Sequence, residues 1–445
     1  MKIARFSRIG FIMAAAGSAV GLGNIWKFPY ITGEYGGGAF VIIYLLTVLL
    51  IGFSIMIAEM LIGYVGRRDT VSSFESIAPK NKNLWKFAGF QSLAGLFIMI
   101  FYSVVIGWIF NYIITSLTYL PASVQEAETV FSNMLHHDFL TQLFYHTIAF
   151  IWITYVLNKG LKGGIEKMNM VLMPALMIIL AAMFAYATTL GAFSQAVEFM
   201  FYPDWSKING EAFVTAVGHA FFTLSLGMGA IMTYSASLEK DANIVKNAFW
   251  VVFLDTTIAI VAGLMLFTFL YQYGAGPEKG PGLVFISLPA AFYEMGIIGN
   301  AFAVLFFVAL AFAGLTSSVS LVEPMVQYLI DRFNYSRLKA SISMGLFFWF
   351  FGIFAILSNI DKTKSYLTWG GKSFFDWVDF ITAAIMLPFA GLIMAIFVGF
   401  IMPKSQIVSI MKPQLKFAFP IWYFSLRYIT PVAMFVVMLS LMGII

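Results

Sequence analysis

Thr316, Ser317 and Ser318 set three hydroxyls side by side in an otherwise apolar stretch, FAGLTSSVSLVEP. Hydroxyl and carbonyl oxygens are hard donors that hold a small cation without burying a second charge. The competing reading is that these hydroxyls bond back to their own helix. Two further stretches carry interruptions of another kind. GFIMAAAGSAVGLGNIWKFPYI contains Gly17, Ser18, Gly21, Gly23 and Asn24, and VGHAFFTLSLGMGAIMTY contains Thr223, Ser225, Gly227 and Gly229. Each glycine weakens a helix by about 1 kcal/mol relative to Ala. Several within a turn, beside small polar residues, invite unwinding. Asp255 stands alone in a third apolar stretch. Cysteine is absent, which excludes disulfides, thiolate metal sites and cysteine nucleophiles. No paired catalytic Asp, metal-binding His set or Ser–His constellation appears at a common depth, which argues against an enzyme. His136 and His137 are adjacent but lack carboxylate spacing, so they make no metal site.

The elements that must position these residues follow from composition. Of 445 residues, 61% are apolar and 11% charged, too few charges to cover a soluble globule. A net charge of +5 over this length is dilute, so nucleic acid is not a partner and the lipid bilayer is. Apolar runs long enough to cross a bilayer predict eleven spans. They lie near 9–36, 38–66, 84–119, 139–157, 165–190, 210–237, 244–273, 299–330, 338–358, 373–402 and 418–443, and are numbered 1 to 11 below. With the N-terminus in the cytoplasm, only Lys27, Lys207, Lys279, Lys362, Lys364 and Lys372 face outward, leaving 20 of the 26 basic residues inside. That bias predicts a multi-pass cell-membrane protein with its N-terminus cytoplasmic and its C-terminus outside. The Gly- and Pro-rich outer stretch 274–298 contains LVFISLPAAF and reads as a folded-back lid, with packing on the outer rim as the alternative.

The two interrupted spans are the first and the sixth, five apart. A repeated unit of five spans must be inverted in the membrane, so residues 1–190 form one half and 191–403 the other, with an inner loop and eleventh span over 404–445. Interrupted helices at matching places in two halves mark the binding site of a secondary transporter. Their half-helix N-termini attract a carboxylate, and free carbonyls attract cations. Such a site suits a zwitterionic amino acid with alkali cations.

The runs GSAVGLGNIWKFPY and GGGAF in spans 1 and 2, FFTLSLGMGAIMTY in span 6 and FAGLTSSVSLVEP in span 8 resemble the neurotransmitter:sodium symporter family, in order and spacing over nearly the whole chain. The resemblance implies an all-α membrane protein of leucine-transporter-like architecture, with a five-plus-five inverted repeat and broken helices 1 and 6. It implies two sodium ions and no organic cofactor. The first ion falls on the Ala19 carbonyl, Asn24, Thr223 and Asp255, with the substrate carboxylate completing its shell. The second falls on the Gly17, Val20 and Ala313 carbonyls and the hydroxyls of Thr316 and Ser317. The substrate pocket falls on Ser18, Ala19, Leu22, Gly23, Ile98, Tyr102, Phe222, Thr223, Ser225, Met228, Ser317 and Leu321, with the Tyr102 hydroxyl donating to the substrate carboxylate. Gly21 stands where monoamine carriers place an acid, which disfavours a monoamine.

Asp255 departs from the family's commoner Asn. An intramembrane acid is a functional candidate by default, and a carboxylate there supplies permanently the charge that chloride supplies in chloride-dependent relatives. Their anion cage maps onto Tyr44, His219, Thr223, Asp255 and Ala259, where His219 replaces Gln and Ala259 removes a hydroxyl. Transport is therefore expected to be chloride-independent. Asp255, with His219 tuning it, is expected to return protonated, giving proton counter-transport. Met228 replaces a frequent Phe and is adaptable, which points to branched and aromatic hydrophobic L-amino acids. Lys27 and Asp379 match the outer ion-pair gate. Asp331 matches the inner gate acid, whose usual Arg and Trp align with Lys2 and Arg5. Glu59 is expected to accept from backbone donors freed in span 6, with a purely structural role as the alternative. Gly164 and Pro174 are expected to unwind the start of span 5. The expected activity is sodium-coupled import by alternating access, with no obligate protein partner. The alternative is a proton-coupled amino acid carrier of the same fold; a channel would need a continuous polar pore.

Overall fold

The computed structural model describes residues 6–274 and 280–444, so Lys2 and Arg5 lie outside the described residues. Among those described, nine helices are long and apolar enough to cross a membrane, or ten if the bent pair Arg8–Ala19 and Gly23–Glu34 counts as one span. The sixth candidate is present as two shorter helices, Gly210–Thr223 and Ala230–Ser235, separated by six irregular residues.

Each break has a local cause. In span 1, Ser7 caps the helix by accepting from the Gly10 N–H, and the helix stops where Val20 turns to extended backbone (ψ 100°). The chain restarts at Gly23 after a 48° bend. Two backbone donors at the bend leave the helix ladder: the Gly21 N–H goes to the Asn24 side chain (2.9 Å) and the Leu22 N–H to the Tyr102 hydroxyl (3.4 Å). The carbonyls they would have served, Gly17 and Ser18, are thereby freed. In span 6, Ser225, Gly227 and Gly229 take φ of 51°, 78° and 75°. Glycine enters this left-handed region freely, but Ser225 does so at a cost, and its hydroxyl donates to the freed Ser18 carbonyl at 2.6 Å. The two breaks thus brace each other.

Span 3 packs against spans 4, 8 and 9, and the inner half of span 1 packs against spans 5, 7 and 8. The stretch Leu283–Glu294 is a short, buried helix whose Phe285 carbonyl accepts from the Tyr112 hydroxyl (3.1 Å) and whose Phe285 ring stacks on Phe131. Residues 275–279 of the expected lid lie outside the described residues. Between spans 3 and 4, Val124–His137 is a helix capped by Ser123, with Glu126 in its first turn. A small hairpin, Thr368–Trp369 paired with Lys372–Ser373, interrupts the all-α pattern outside the spans. The start of span 5 is not unwound. Leu161–Glu166 forms a widened turn that runs directly into Lys167–Ala187, with Pro174 inside the helix. Gly164 serves close approach instead: a Cβ there would stand 2.1 Å from the Val156 carbonyl oxygen.

Candidate functional site

The two breaks meet at the centre of the molecule. Asn24 donates to the Asp255 carboxylate (2.7 Å) and to the Asp255 carbonyl (3.0 Å), and the Thr223 hydroxyl donates to the same carboxylate oxygen at 3.0 Å. All three residues are buried, and Ala19 is buried beside them. The second Asp255 oxygen has no protein partner. Spans 1, 6 and 7 therefore bring together the residues expected at the first cation site. The arrangement offers a fully buried carboxylate with one oxygen unsatisfied, beside the Thr223 hydroxyl and the Asn24 amide. A buried carboxylate in that condition is costly unless a cation or donor faces it, so the set fits a sodium ion.

The residues expected at the second site also converge. The Ser317 hydroxyl lies 3.2 Å from the Gly17 carbonyl, 3.2 Å from that of Ser18 and 3.4 Å from that of Val20. One hydroxyl has one proton, so the break presents more acceptors than the protein supplies donors. That surplus is what a cation satisfies. Thr316 behaves as the competing reading expected: its hydroxyl bonds back to the Phe312 carbonyl (2.9 Å) and the Ala313 carbonyl (3.0 Å). Ala313 and Thr316 still share this corner, since Thr316 touches the carbonyl expected to ligate.

Between the clusters lies a small, tight cavity lined by all twelve residues expected in the pocket and by Gly21. Gly21 was read from the sequence only as the place where an acid is missing. Its role is space: a Cβ there would stand 2.7 Å from the Ser317 Oγ and 3.2 Å from the Tyr102 hydroxyl. Tyr102 accepts from the Leu22 N–H, which leaves its own proton free to donate into the cavity. Among the described residues, no acidic side chain lines the cavity.

Outward of it, Leu22, Gly23, Tyr102 and Phe222 form the floor of a wider vestibule that also includes Trp26, Lys27 and Asp379. Lys27 and Asp379 line this space but form no ion pair. The Lys27 ammonium instead lies 4.8 Å from the centroid of the Phe222 ring, a cation–π arrangement. On the inner side, Asp331 accepts from the Asp69 N–H (3.2 Å) and from Gln327 (2.8 Å). Its expected partners at Lys2 and Arg5 lie outside the described residues.

Beside Asp255, the Tyr44 hydroxyl and both ring nitrogens of His219 are buried without protein partners. The Tyr44 and His219 rings lie 5.4 Å apart, and Ala259, one helical turn beyond Asp255, is buried and brings no hydroxyl. Thr256, whose hydroxyl is also unpartnered, was missed from the sequence. The signal available was its place next to Asp255. Glu59 accepts from the Gly227 N–H (3.1 Å) and the Met232 N–H (3.4 Å), donors that the span 6 break sets free. His136 and His137 face Asp361 at 4.0 and 3.8 Å, and no group of three metal-ligating side chains occurs among the described residues.

Comparison with known proteins places this geometry. The model of the sodium:neurotransmitter symporter family matches residues 4–139 and 134–444. A sodium-dependent transporter of Bacillus subtilis, YhdH, is 33% identical over 99% of this chain and 97% of its own length. A sodium-dependent transporter of Haemophilus influenzae is 34% identical over 98% and 97%. The crystal structure of MhsT in complex with L-phenylalanine superposes with a TM-score of 0.90 at 39% identity, covering 98% of this chain and 99% of that one.

Proposed function

The chain belongs to the sodium:neurotransmitter symporter family, and from that premise we propose that it imports hydrophobic L-amino acids, branched and aromatic, together with two sodium ions. The family's members are sodium-dependent membrane transporters rather than enzymes. The observation that carries the finer reading is the cavity itself. Its lining is mostly apolar and, among the described residues, holds no acid; it touches both oxygen clusters, and one end holds the Tyr102 hydroxyl beside the Leu22 backbone of the span 1 break. A substrate carboxylate placed there sits within reach of the first sodium, so each ligand raises the affinity for the other. The amino group meets freed carbonyls of spans 1 and 6 instead of a carboxylate. The side chain faces Ile98, Met228 and Leu321. The phenylalanine in MhsT supports the substrate class.

Alternating access follows from the two halves, 1–190 and 191–403, moving about the breaks, with the N-terminus in the cytoplasm and the C-terminus outside. Asp255 carries the negative charge that balances the first sodium, so chloride is not required. His219 and Ala259 leave an anion poorly held. Once sodium and substrate have left, an uncompensated carboxylate at that depth is costly. The empty carrier therefore returns with Asp255 protonated and exports a proton.

Purified protein in liposomes with an inward sodium gradient is expected to accumulate Leu, Ile, Val, Phe, Tyr or Trp. Replacing sodium by choline should abolish the uptake; full uptake in choline at neutral pH would favour the proton-coupled alternative. Met228→Phe should shrink the side-chain end of the cavity and lower the Trp-to-Leu uptake ratio. An unchanged ratio would remove Met228 from the specificity argument.

A further inference from the structure

Span 5 touches the inner half of span 1 through two glycines. A Cβ at Gly10 would stand 2.0 Å from the Glu166 Oε1, and a Cβ at Gly17 would stand 1.9 Å from the Asn169 Oδ1 and 3.2 Å from the Met173 Cγ. Gly10 and Gly17 are seven residues apart, so they lie on one face of the helix. Glu166 reaches across that face. Its Oε1 accepts from both the backbone N–H (3.2 Å) and the hydroxyl (2.5 Å) of Ser7, the residue that caps the span 1 helix. Glu166 is itself 7% exposed, and its other oxygen is buried with no protein partner. It ends the widened turn Leu161–Glu166, which begins after Gly160 at φ 79°. One carboxylate on an irregular turn thus holds the cytoplasmic end of the helix whose other end supplies the Gly17 and Val20 carbonyls.

We propose that Glu166 is the inner latch of the transport path: its hydrogen bonds to Ser7 hold the inner half of span 1 against span 5 and so seal the second sodium site from the cytoplasm. Charge-assisted bonds to one carboxylate are strong enough to bias the closed state and few enough to be broken in each cycle. Glu166 acts through the position of span 1 and does not touch substrate. The unpartnered oxygen adds to this balance, because opening lets water reach a carboxylate that is only half satisfied when closed. The proposal rests on the alternating-access reading and adds the contact that has to break.

The chain has no cysteine, so Met173→Cys, at the interface between spans 1 and 5, reports opening by its reaction with a methanethiosulfonate reagent. In this parent, labelling should be slow in sodium and faster without it. Ser7→Ala, Gly10→Ala and Glu166→Gln disturb the latch from three sides. Each should raise the labelling rate in sodium about tenfold and weaken apparent sodium affinity by a similar factor, as loss of a hydrogen bond to a charged group implies. Ser7→Thr keeps both the hydroxyl and the cap and should restore the parent rate, which a general packing defect would not do. Parent labelling that ignores sodium would overturn the alternating-access reading and the latch with it. A parent that responds to sodium, beside Ser7→Ala and Glu166→Gln proteins that label at its rate, would overturn the latch alone.

Discussion

Asp255→Asn is expected to cut sodium-driven uptake in chloride-free buffer by at least tenfold and to abolish proton counterflow, read with a pH dye inside the liposomes. Asn keeps the shape and an oxygen to accept from Asn24 and Thr223, which now meet on one Asp255 oxygen. What it loses is the charge. Two unit charges 4 Å apart attract by about 4 kcal/mol at an effective dielectric near 20. Even if relaxation absorbs half of that, sodium affinity falls by more than a factor of ten. Added chloride should not rescue the variant, because Ala259 offers no hydroxyl and the cage is crowded by the rings of Phe28, Tyr44 and His219. Three outcomes count against the role of Asp255: wild-type uptake that stops when gluconate replaces chloride, an Asn variant with normal chloride-free uptake, or one with normal proton flux.

Glu59→Gln should be the most damaging change away from the ligands themselves. Glu59 is fully buried, and its two oxygens accept from Gly227 and Met232 on the two sides of Gly229. The Met232 N–H lies in the first turn of Ala230–Ser235, where a helix N-terminus favours negative charge. Gln replaces one acceptor by a donor that points at an N–H. The resulting unsatisfied donors cost about 1–3 kcal/mol in stability. The functional loss should exceed this, because the same contact sets the backbone of the break that carries Ser225 and Met228. A lowered thermal midpoint with uptake reduced more than tenfold is expected. A variant with the parent's midpoint and uptake would show that these backbone groups find other partners, and the break would then owe its shape to glycine alone.

The parts of this protein that follow from local properties were legible in the residue order. Hydropathy is a sum over neighbours, so most of the spans stand out in the sequence to within a few residues, whereas the stretch before the last, expected as an inner loop, is the helix Lys404–Leu415. Backbone satisfaction in lipid is equally local, so the glycines and small polar residues around Gly21 and Gly227 disclosed both breaks. Of the adjacent hydroxyls in span 8, that of Ser317 faces the freed carbonyls of span 1, whereas that of Thr316 bonds back to its own helix. Assigning particular residues to the cavity took more than composition. It came from family resemblance, and the structure gathers those residues around one space.

What the tertiary structure alone decided are pairings between distant groups. The Tyr102 hydroxyl meets the Leu22 N–H 80 positions away, Ser7 meets Glu166 across 159, and Gly227 meets Glu59 across 168. No periodicity encodes such partners, because each depends on how whole helices pack. The same reason explains the departures. Lys27 and Asp379 have the charges of a gate and line one vestibule, but the ammonium lies over the Phe222 ring rather than in an ion pair. Gly164 and Pro174 have the composition of an unwound segment, but a nearby carbonyl from span 4 needs the room that Gly164 leaves, and the helix runs on. Residue type determined which chemistry the protein could perform and at what depth in the membrane. Packing decided which of those groups face each other, because hydrogen bonds and ion pairs act over a few ångströms and only the folded chain sets those distances.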